Sequence, residues 1–136
     1  MIDLDHFKEV NDNMGHQEGD RILKETAQML RQTFREMDII GHIGGDEFCV
    51  FLVGELKEEV VEQRLRYLMT LRRKEFPLKK GGTFRLSLSM GYTAVPEQGA
   101  LLEDLIAESD IALYWQKEHG RNGFTMFQEK MRLGGE

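Results

Sequence analysis

Cysteine, long apolar runs and repeated segments are scarce or missing in this sequence. Its single cysteine, Cys49, excludes an internal disulfide bond and suits a reducing compartment. No apolar stretch reaches the length of a transmembrane helix, and the N-terminus lacks the pattern of a signal peptide. Without repeats, low-complexity tracts or a linker, the 136 residues are predicted to form one domain that can bury a core.

Basic residues are also fewer than acidic residues. Lysine and arginine number 18 against 24 aspartates and glutamates, so the formal net charge is −6. A chain of this charge offers no basic surface for a nucleic-acid polymer or an anionic membrane, and we predict neither as a partner. A small anionic ligand stays possible where local lysines, arginines or a metal ion offset the acidity.

Hydrophobic periodicity predicts an α+β fold with a largely antiparallel, mixed sheet flanked by helices. Helical spacing predicts helices over 18–34, 58–74 and 102–118, strands are predicted over 1–4, 38–43, 47–53, 84–90 and 124–127, and the polar stretch 5–16 is predicted to be turns. The strand at 47–53 is apolar on both faces, which favours a central place for the hairpin it forms with 38–43.

The stretch HIGGDEF at 42–48 places two adjacent carboxylates between apolar runs. Gly44 and Gly45 predict a two-residue hairpin turn with Asp46 and Glu47 at its tip. If the strand that ends near Asp3 is a neighbour, Asp3 and Asp46 face each other, and their hard oxygens suit Mg²⁺. The alternative is that both acids only solvate the turn, since Gly-Gly-Asp is also good turn chemistry.

Further blocks accompany this stretch in a fixed order. They are DLDHFKEVND at 3–12, GHQEGD at 15–20, GGDEF at 44–48, SLSMGY at 87–92 and SDIALYWQKEHGRN at 109–122. Through them nearly the whole chain resembles the GGDEF-domain family, the diguanylate cyclases. The resemblance implies a ferredoxin-like, palm-type fold with the GGDEF motif on its hairpin. It also implies an enzyme that condenses two GTP molecules into cyclic di-GMP in a homodimer, releasing pyrophosphate.

The resemblance also assigns catalytic residues. The carboxylates of Asp3 and Asp46 and the carbonyl of Leu4 would hold Mg²⁺ or Mn²⁺. Glu47 would bind a second metal ion or accept the proton of the attacking hydroxyl. Lys8 belongs with this set because it would hold phosphate charge at the reacting centre.

Substrate-binding residues follow in the same way. Backbone amides near Phe7 and the cations of three side chains, Lys8, Lys117 and Arg121, would bind the GTP phosphates. Asn11 and Asp20 would read the guanine edge, and His16 would line the same pocket. Taken singly, Lys8 also reads as a solvated surface lysine, and Asp20 as a first-turn acid favoured by the helix dipole.

A separate pattern, Arg35-x-x-Asp38, resembles the inhibitory site at which the family binds its product. An arginine can pair bidentately with phosphate or with a guanine edge. Arg64 is expected to supply a second arginine from the next helix, with Arg66 as the less favoured candidate.

The sequence departs from the family at three places. His42-Ile43 replace an arginine and an aromatic residue, and Trp115-Gln116 replace small residues. The family's N-terminal helix, with its Asp-x-Leu-Thr-Gly-Leu-x-Asn-Arg-like motif, and the start of the first strand are missing from residues 1–136. We therefore expect a piece of a larger protein with an upstream sensor domain, cytoplasmic or the cytoplasmic part of a membrane-bound protein.

Two rivals to a cyclase follow from these departures. One is a catalytically inactive module that binds cyclic di-GMP or GTP as a sensor. The other is a structural or dimerising fragment. The intact Asp46-Glu47-Phe48 favours the enzyme.

Overall fold

The computed structural model describes residues 1–71, 75–78 and 81–133. The strands are β1 (Ile2–Leu4), β2 (Ile39–Gly44), β3 (Glu47–Phe51), β4 (Glu75–Pro77), β5 (Thr83–Arg85), β6 (Leu88–Tyr92) and β7 (Gly123–Met126). The helices are α1 (Phe7–Met14), α2 (His16–Thr33), α3 (Glu58–Leu71) and α4 (Leu102–Glu118), followed by a 3-10 turn at Glu129–Leu133. No helix in these described ranges is long and apolar enough to cross a membrane.

Five strands form one sheet in the order β2-β3-β1-β6-β7, and β4 pairs with β5 separately. All neighbours in the large sheet are antiparallel except β6 and β7, which the crossover helix α4 joins in parallel. The predicted α+β class with a mostly antiparallel sheet is confirmed. The hairpin is not central as predicted, because β2 is an edge strand and β1 lies in the middle.

The core lies between the sheet and the helices α1, α2 and α3. Its buried members include, from the strands and helices, Ile2, Leu4, Val10, Ile22, Leu30, Phe48, Leu65, Leu68, Leu88 and Met90. Helix α4 packs against β6 at Gly91, where a Cβ would come within 2.1 Å of the backbone nitrogen of Leu113. Only a glycine permits this approach, which brings the end of α4 close to β1.

Two predicted elements were wrong. Residues 5–16 contain the helix α1, because Phe7 and Val10 bury one face of an otherwise polar stretch, and Gly15 ends it with a φ of 89°. The predicted strand 84–90 is split, since β5 pairs with β4 while β6 pairs with β1.

The predicted helix at 102–118 is confirmed at both ends, whereas α2 begins two residues before its predicted start. The predicted continuation of α3 over 72–74 lies outside the described residues.

Candidate active site

The hairpin between β2 and β3 turns at Gly45 and Asp46, one residue later than predicted. Gly45 has a φ of 53°, a left-handed conformation that costs glycine little, and the pairing register shifts between His42 and Gly44. Glu47 is therefore the first residue of β3 and not part of the tip. Both acids are half-buried, so the turn does not simply present them to solvent.

Asp3 lies next to this hairpin on the central strand. It pairs with Glu47 in the β1–β3 ladder, and the Leu4 amide donates to the Asp46 carbonyl at 3.2 Å. Burial raises the pKa of Asp3 to about 6, and the neighbouring Asp46 contributes to this rise. The contact with Lys117 lowers the pKa but does not cancel the effect of burial. Burial also raises the pKa of Glu47, helped by the charges of Asp110 and Asp3.

These carboxylates suit a hard divalent cation. The Oδ1 atom of Asp3 is buried without a hydrogen-bond partner, and an unpaired buried carboxylate oxygen is costly unless a cation meets it. The described ranges contain no group of three His, Cys, Asp or Glu side chains arranged to hold a metal ion. A site with one or two protein carboxylates matches Mg²⁺, which keeps waters and takes substrate phosphates as its other ligands.

Two cations approach the site from the end of α4. Lys117 Nζ contacts Asp3 Oδ2 directly. Arg121, in the loop that follows, has its Nη1 3.8 Å from Asp5 Oδ1. The structure thus brings the two predicted phosphate ligands to the end of β1, where the predicted metal ligands lie.

Asp5 is a residue that the sequence reasoning missed. Its side chain is buried and accepts hydrogen bonds from Ser87 Oγ at 2.5 Å, Ser89 Oγ at 2.6 Å and the Asn122 amide at 3.1 Å. These bonds join the end of β1 to β6 and to the loop after α4, and so fix the position of Arg121. Two serines at alternate positions in an otherwise apolar stretch were the available signal for a buried polar partner.

The predicted guanine-binding residues and the other predicted phosphate-binding residues, Phe7 and Lys8, lie on α1 and α2. The Phe7 side chain is buried, so only its backbone amide is free to face a ligand from the first turn of α1, while Lys8 is exposed. A Cβ on Gly19 would lie 1.9 Å from Asn11 Oδ1, so this glycine lets the two helices come together. Asp20, next to Gly19 on α2, is exposed.

His16 is exposed at the start of α2. The close contact of the two helices at Gly19 was not predicted. The signal for it in the sequence was the position of this glycine beside Asp20.

The predicted inhibitory site forms a tight ion pair. Arg35 Nη2 lies 2.7 Å from Asp38 Oδ1, Arg35 Nε lies 3.1 Å from Asp38 Oδ2, and Nη2 also donates to the Val53 carbonyl at 2.6 Å. Burial opposes ionisation of Asp38, but the hydrogen bonds from Arg35 and Val53 outweigh it, and the pKa of Asp38 is below its usual value. The guanidinium is partly exposed, which leaves a face for a ligand.

The two candidates for the second arginine, Arg64 and Arg66, lie on different sides of α3. Arg64 Nη1 donates to the Thr33 carbonyl at 3.1 Å, so its side chain lies at the end of α2 near Arg35. Arg66 lies instead over the ring of Phe124, 5.6 Å from its centroid, on the opposite side of α3. The less favoured Arg66 is therefore not part of this cluster.

Both departures within the site stack on a neighbouring ring. The His42 ring stacks on Phe48 at 4.7 Å, and its Nε2 lies 2.8 Å from the Gly45 carbonyl, which supports the turn. The Trp115 ring stacks on His119 with 3.7 Å between the ring centroids, and its Nε1 is buried without a hydrogen-bond partner. Neither substitution obstructs the carboxylates.

Gln116 links the end of α4 to the following loop and to β7 through hydrogen bonds. Its Nε2 donates to the Arg121 carbonyl at 2.8 Å and its Oε1 accepts from Thr125 Oγ1 at 2.5 Å. These bonds hold the loop that carries Arg121, beside the bonds from Asp5.

Comparison with known proteins agrees with this geometry. The family model described as diguanylate cyclase, GGDEF domain, matches residues 1–123. The chain belongs to this family. Its α+β fold, with the GGDEF motif on a hairpin beside the first strand, is the fold of a GGDEF domain.

The relatives are larger proteins. The chain is 34% identical over 133 residues to the cyclic di-GMP phosphodiesterase NbdA of Pseudomonas aeruginosa, covering 96% of this chain and 16% of that protein. It is 35% identical over 122 residues to the probable diguanylate cyclase DgcC of Escherichia coli, covering 90% and 32%. The solved GGDEF domain of TpbB (YfiN) from P. aeruginosa superposes with a TM-score of 0.90 at 30% identity, covering 97% of this chain and 77% of that one.

Proposed function

We propose that this GGDEF domain is the catalytic part of a diguanylate cyclase, which condenses two GTP molecules into cyclic di-GMP with release of pyrophosphate. The observation that supports this proposal best is the intact carboxylate group of Asp3, Asp46 and Glu47, with a buried Asp3 oxygen that lacks a partner. The substrate is a cytoplasmic nucleotide, so the domain is proposed to act there, within a longer protein that carries an upstream input domain.

The residues of the site divide the work in a way that fits phosphoryl transfer. Asp3 and Asp46 would hold Mg²⁺ or Mn²⁺, which when bound supplies charge neutralisation at the phosphates. Lys8, Lys117 and Arg121 would orient the triphosphate for in-line attack, which is the main requirement of this chemistry.

Glu47 is the candidate general base. Burial and the charges of Asp110 and Asp3 raise its pKa, and its carboxylate would accept the proton of the 3′-hydroxyl that attacks the α-phosphorus. Each attack forms one phosphodiester bond and releases one pyrophosphate. Because the hydroxyl of one GTP attacks the other, two sites must face each other, and we propose a homodimer.

A regulatory role is the second candidate. The Arg35–Asp38 pair with Arg64 nearby could bind cyclic di-GMP without turnover. NbdA, named as a phosphodiesterase, indicates that proteins with a related domain can carry another activity.

The test is to incubate the protein with GTP and Mg²⁺ and to detect cyclic di-GMP by mass spectrometry. Asp46→Asn keeps the size of the side chain and removes a metal-binding charge, so we expect turnover to fall at least ~100-fold, since this charge acts at the reacting phosphate. Product from wild type and Asp46→Asn alike would contradict the metal assignment. Tight binding of cyclic di-GMP without any turnover would favour the regulatory role.

A further inference from the structure

Lys117 and Asp3 form a contact that the proposed chemistry requires to break. The Lys117 ammonium, on the last turn of α4, lies against Oδ2 of Asp3. The Asp3 side chain is 9% exposed and that of Lys117 is 28% exposed, so this ion pair is largely shielded from water. The two charges of a shielded ion pair interact more strongly than those of an exposed surface pair, whose contribution is small.

The same two groups have other partners in the proposed function. Asp3 would hold a divalent cation, and Lys117 would hold the phosphates of GTP. An ammonium against one oxygen of a carboxylate repels a dication at the other, because like charges a few ångströms apart interact strongly where water is excluded. Asp3 therefore cannot bind Lys117 and the metal ion equally well at the same time.

Lys117 is able to leave without a change of fold. It has a flexible four-carbon side chain, and Asp3 is the polar partner the structure gives it. Arg121 differs, since the loop that carries it is held by Asp5 and Gln116. The neighbouring phosphate ligand can thus stay in place while Lys117 moves.

We propose that Lys117 competes with the divalent cation for Asp3, and that nucleotide phosphates relieve this competition by drawing Lys117 away. Metal binding to this domain then depends on nucleotide. The inference rests on the proposed function for the identity of the ligands. It adds an order to their binding and gives Lys117 a positioning role besides its contact with phosphate.

The experiment measures Mn²⁺ binding by electron paramagnetic resonance with no nucleotide present. Lys117→Met removes the competing charge and keeps most of the side chain. We expect it to bind Mn²⁺ at least ~10-fold more tightly than the wild type, equivalent to about 1.4 kcal/mol. Lys24→Met, at an exposed position on α2, is the matched control, because it changes the net charge by the same amount.

A second measurement adds a GTP analogue that cannot release pyrophosphate. The wild type should gain Mn²⁺ affinity strongly when the analogue binds. Lys117→Met should gain less, because the part of the coupling that comes from moving Lys117 away from Asp3 is lost. Circular dichroism checks that the variant is folded, and Lys117→Gln serves as a second substitution if the first is not.

The outcomes separate this inference from the proposed function. Equal Mn²⁺ affinity of the wild type, Lys117→Met and Lys24→Met would overturn the competition, whether or not the protein makes cyclic di-GMP. No Mn²⁺ binding to any of them, with or without the analogue, would overturn the metal assignment itself and the inference with it.

Discussion

Asp3 is unfavourable for the stability of the fold and is at the same time a proposed metal ligand. A buried carboxylate with one unpaired oxygen is unfavourable for stability, and its pKa near 6 reflects the burial. The fold tolerates it because Lys117 supplies one positive charge. A residue retained at such a cost is a candidate for function, which agrees with its place in the proposed metal site.

Asp38 gives a prediction for the dependence of stability on pH. Its pKa is lowered in the folded protein, so its contribution to stability is complete above the unfolded-state pKa of about 3.9 and is lost as the pH falls through the lower folded value. Asp38→Asn weakens the bonds from Arg35 and leaves no charge to titrate. We expect it to lower the free energy of unfolding by about 2 kcal/mol at pH 7.

Urea unfolding at several pH values measures this effect. The gap between wild type and Asp38→Asn should narrow as the pH falls below about 4, where the wild-type carboxyl becomes protonated in the unfolded chain, and should close as the pH passes the lower pKa of the folded protein. Asp12→Asn, at an exposed position on α1, is the control and should change little. A gap that stays the same at pH 3 and pH 7 would assign the effect to packing rather than to charge.

At the scale of elements, the two close helix contacts depend on glycines. Gly91 lets α4 lie against β6, and Gly19 lets α2 lie against the Asn11 side chain of α1. Each contact positions a group of proposed function, Lys117 in the first case and Asn11 in the second.

Gly19→Ala therefore tests the contact between α1 and α2. Alanine favours a helix interior over glycine by about 1 kcal/mol, so the variant would gain stability if there were room for the methyl group. Its Cβ would instead lie 1.9 Å from Asn11 Oδ1 and displace that side chain. We expect KM for GTP to rise ~10-fold, equivalent to about 1.4 kcal/mol of lost binding, with a smaller change in kcat.

Gly41→Ala in β2 is the matched control, because its Cβ would meet only Cys49 O at an ordinary distance of 4.0 Å. Steady-state kinetics on both variants measure KM for GTP and kcat. An unchanged KM in Gly19→Ala would show that Asn11 does not take part in binding GTP.

The elements also show which parts of the fold the sequence could reveal. Helix α4 was predicted at both ends because apolar residues recur along it at helical spacing and polar loops bound it. Helix α1 was missed since its buried face is only Phe7 and Val10 among polar residues. The break between β5 and β6 depends on which strand each one pairs with, and a single alternating pattern does not contain that information.

The candidate site divides in the same way. Blocks of sequence located Asp3, Asp46 and the two cations at and just after the end of α4, and the order of the strands brings these residues close in space. The contact between Lys117 and Asp3 and the buried bonds of Asp5 arise from tertiary packing, across separations of 114 and more than 80 residues. Pattern reasoning along the chain has no access to pairings at that distance.

At the scale of the whole molecule, the proposed catalytic residues and the Arg35–Asp38 pair lie on different elements. The first set is at the end of β1 and the β2–β3 turn, and the second is between the end of α2 and the start of β2. Strand β2 connects them directly, since Asp38 precedes it and Gly44 ends it. Under the proposed function, product bound at the pair would act on the hairpin that carries Asp46 or on the proposed dimer.

Arg64→Ala tests this feedback with less damage to the fold than a change in Arg35, which also holds the buried Asp38 and the Val53 carbonyl. Arg64 donates to Thr33 alone among the contacts the structure gives it. Loss of one charge-assisted contact to the product should raise the cyclic di-GMP concentration needed for half-inhibition ~10-fold. Initial rates, measured before product accumulates, should stay within about twofold of the wild type, because Arg64 lies away from the carboxylates and separate sites that share no partner couple only weakly.

Arg66→Ala is the matched control on the same helix. It removes the same charge, but its side chain lies over Phe124 on the opposite side of α3. Inhibition curves for both variants, recorded with added cyclic di-GMP, separate a local contact from a general effect of charge. If both substitutions shift the curve equally, the effect comes from net charge, and if neither does, the product does not bind beside Arg35.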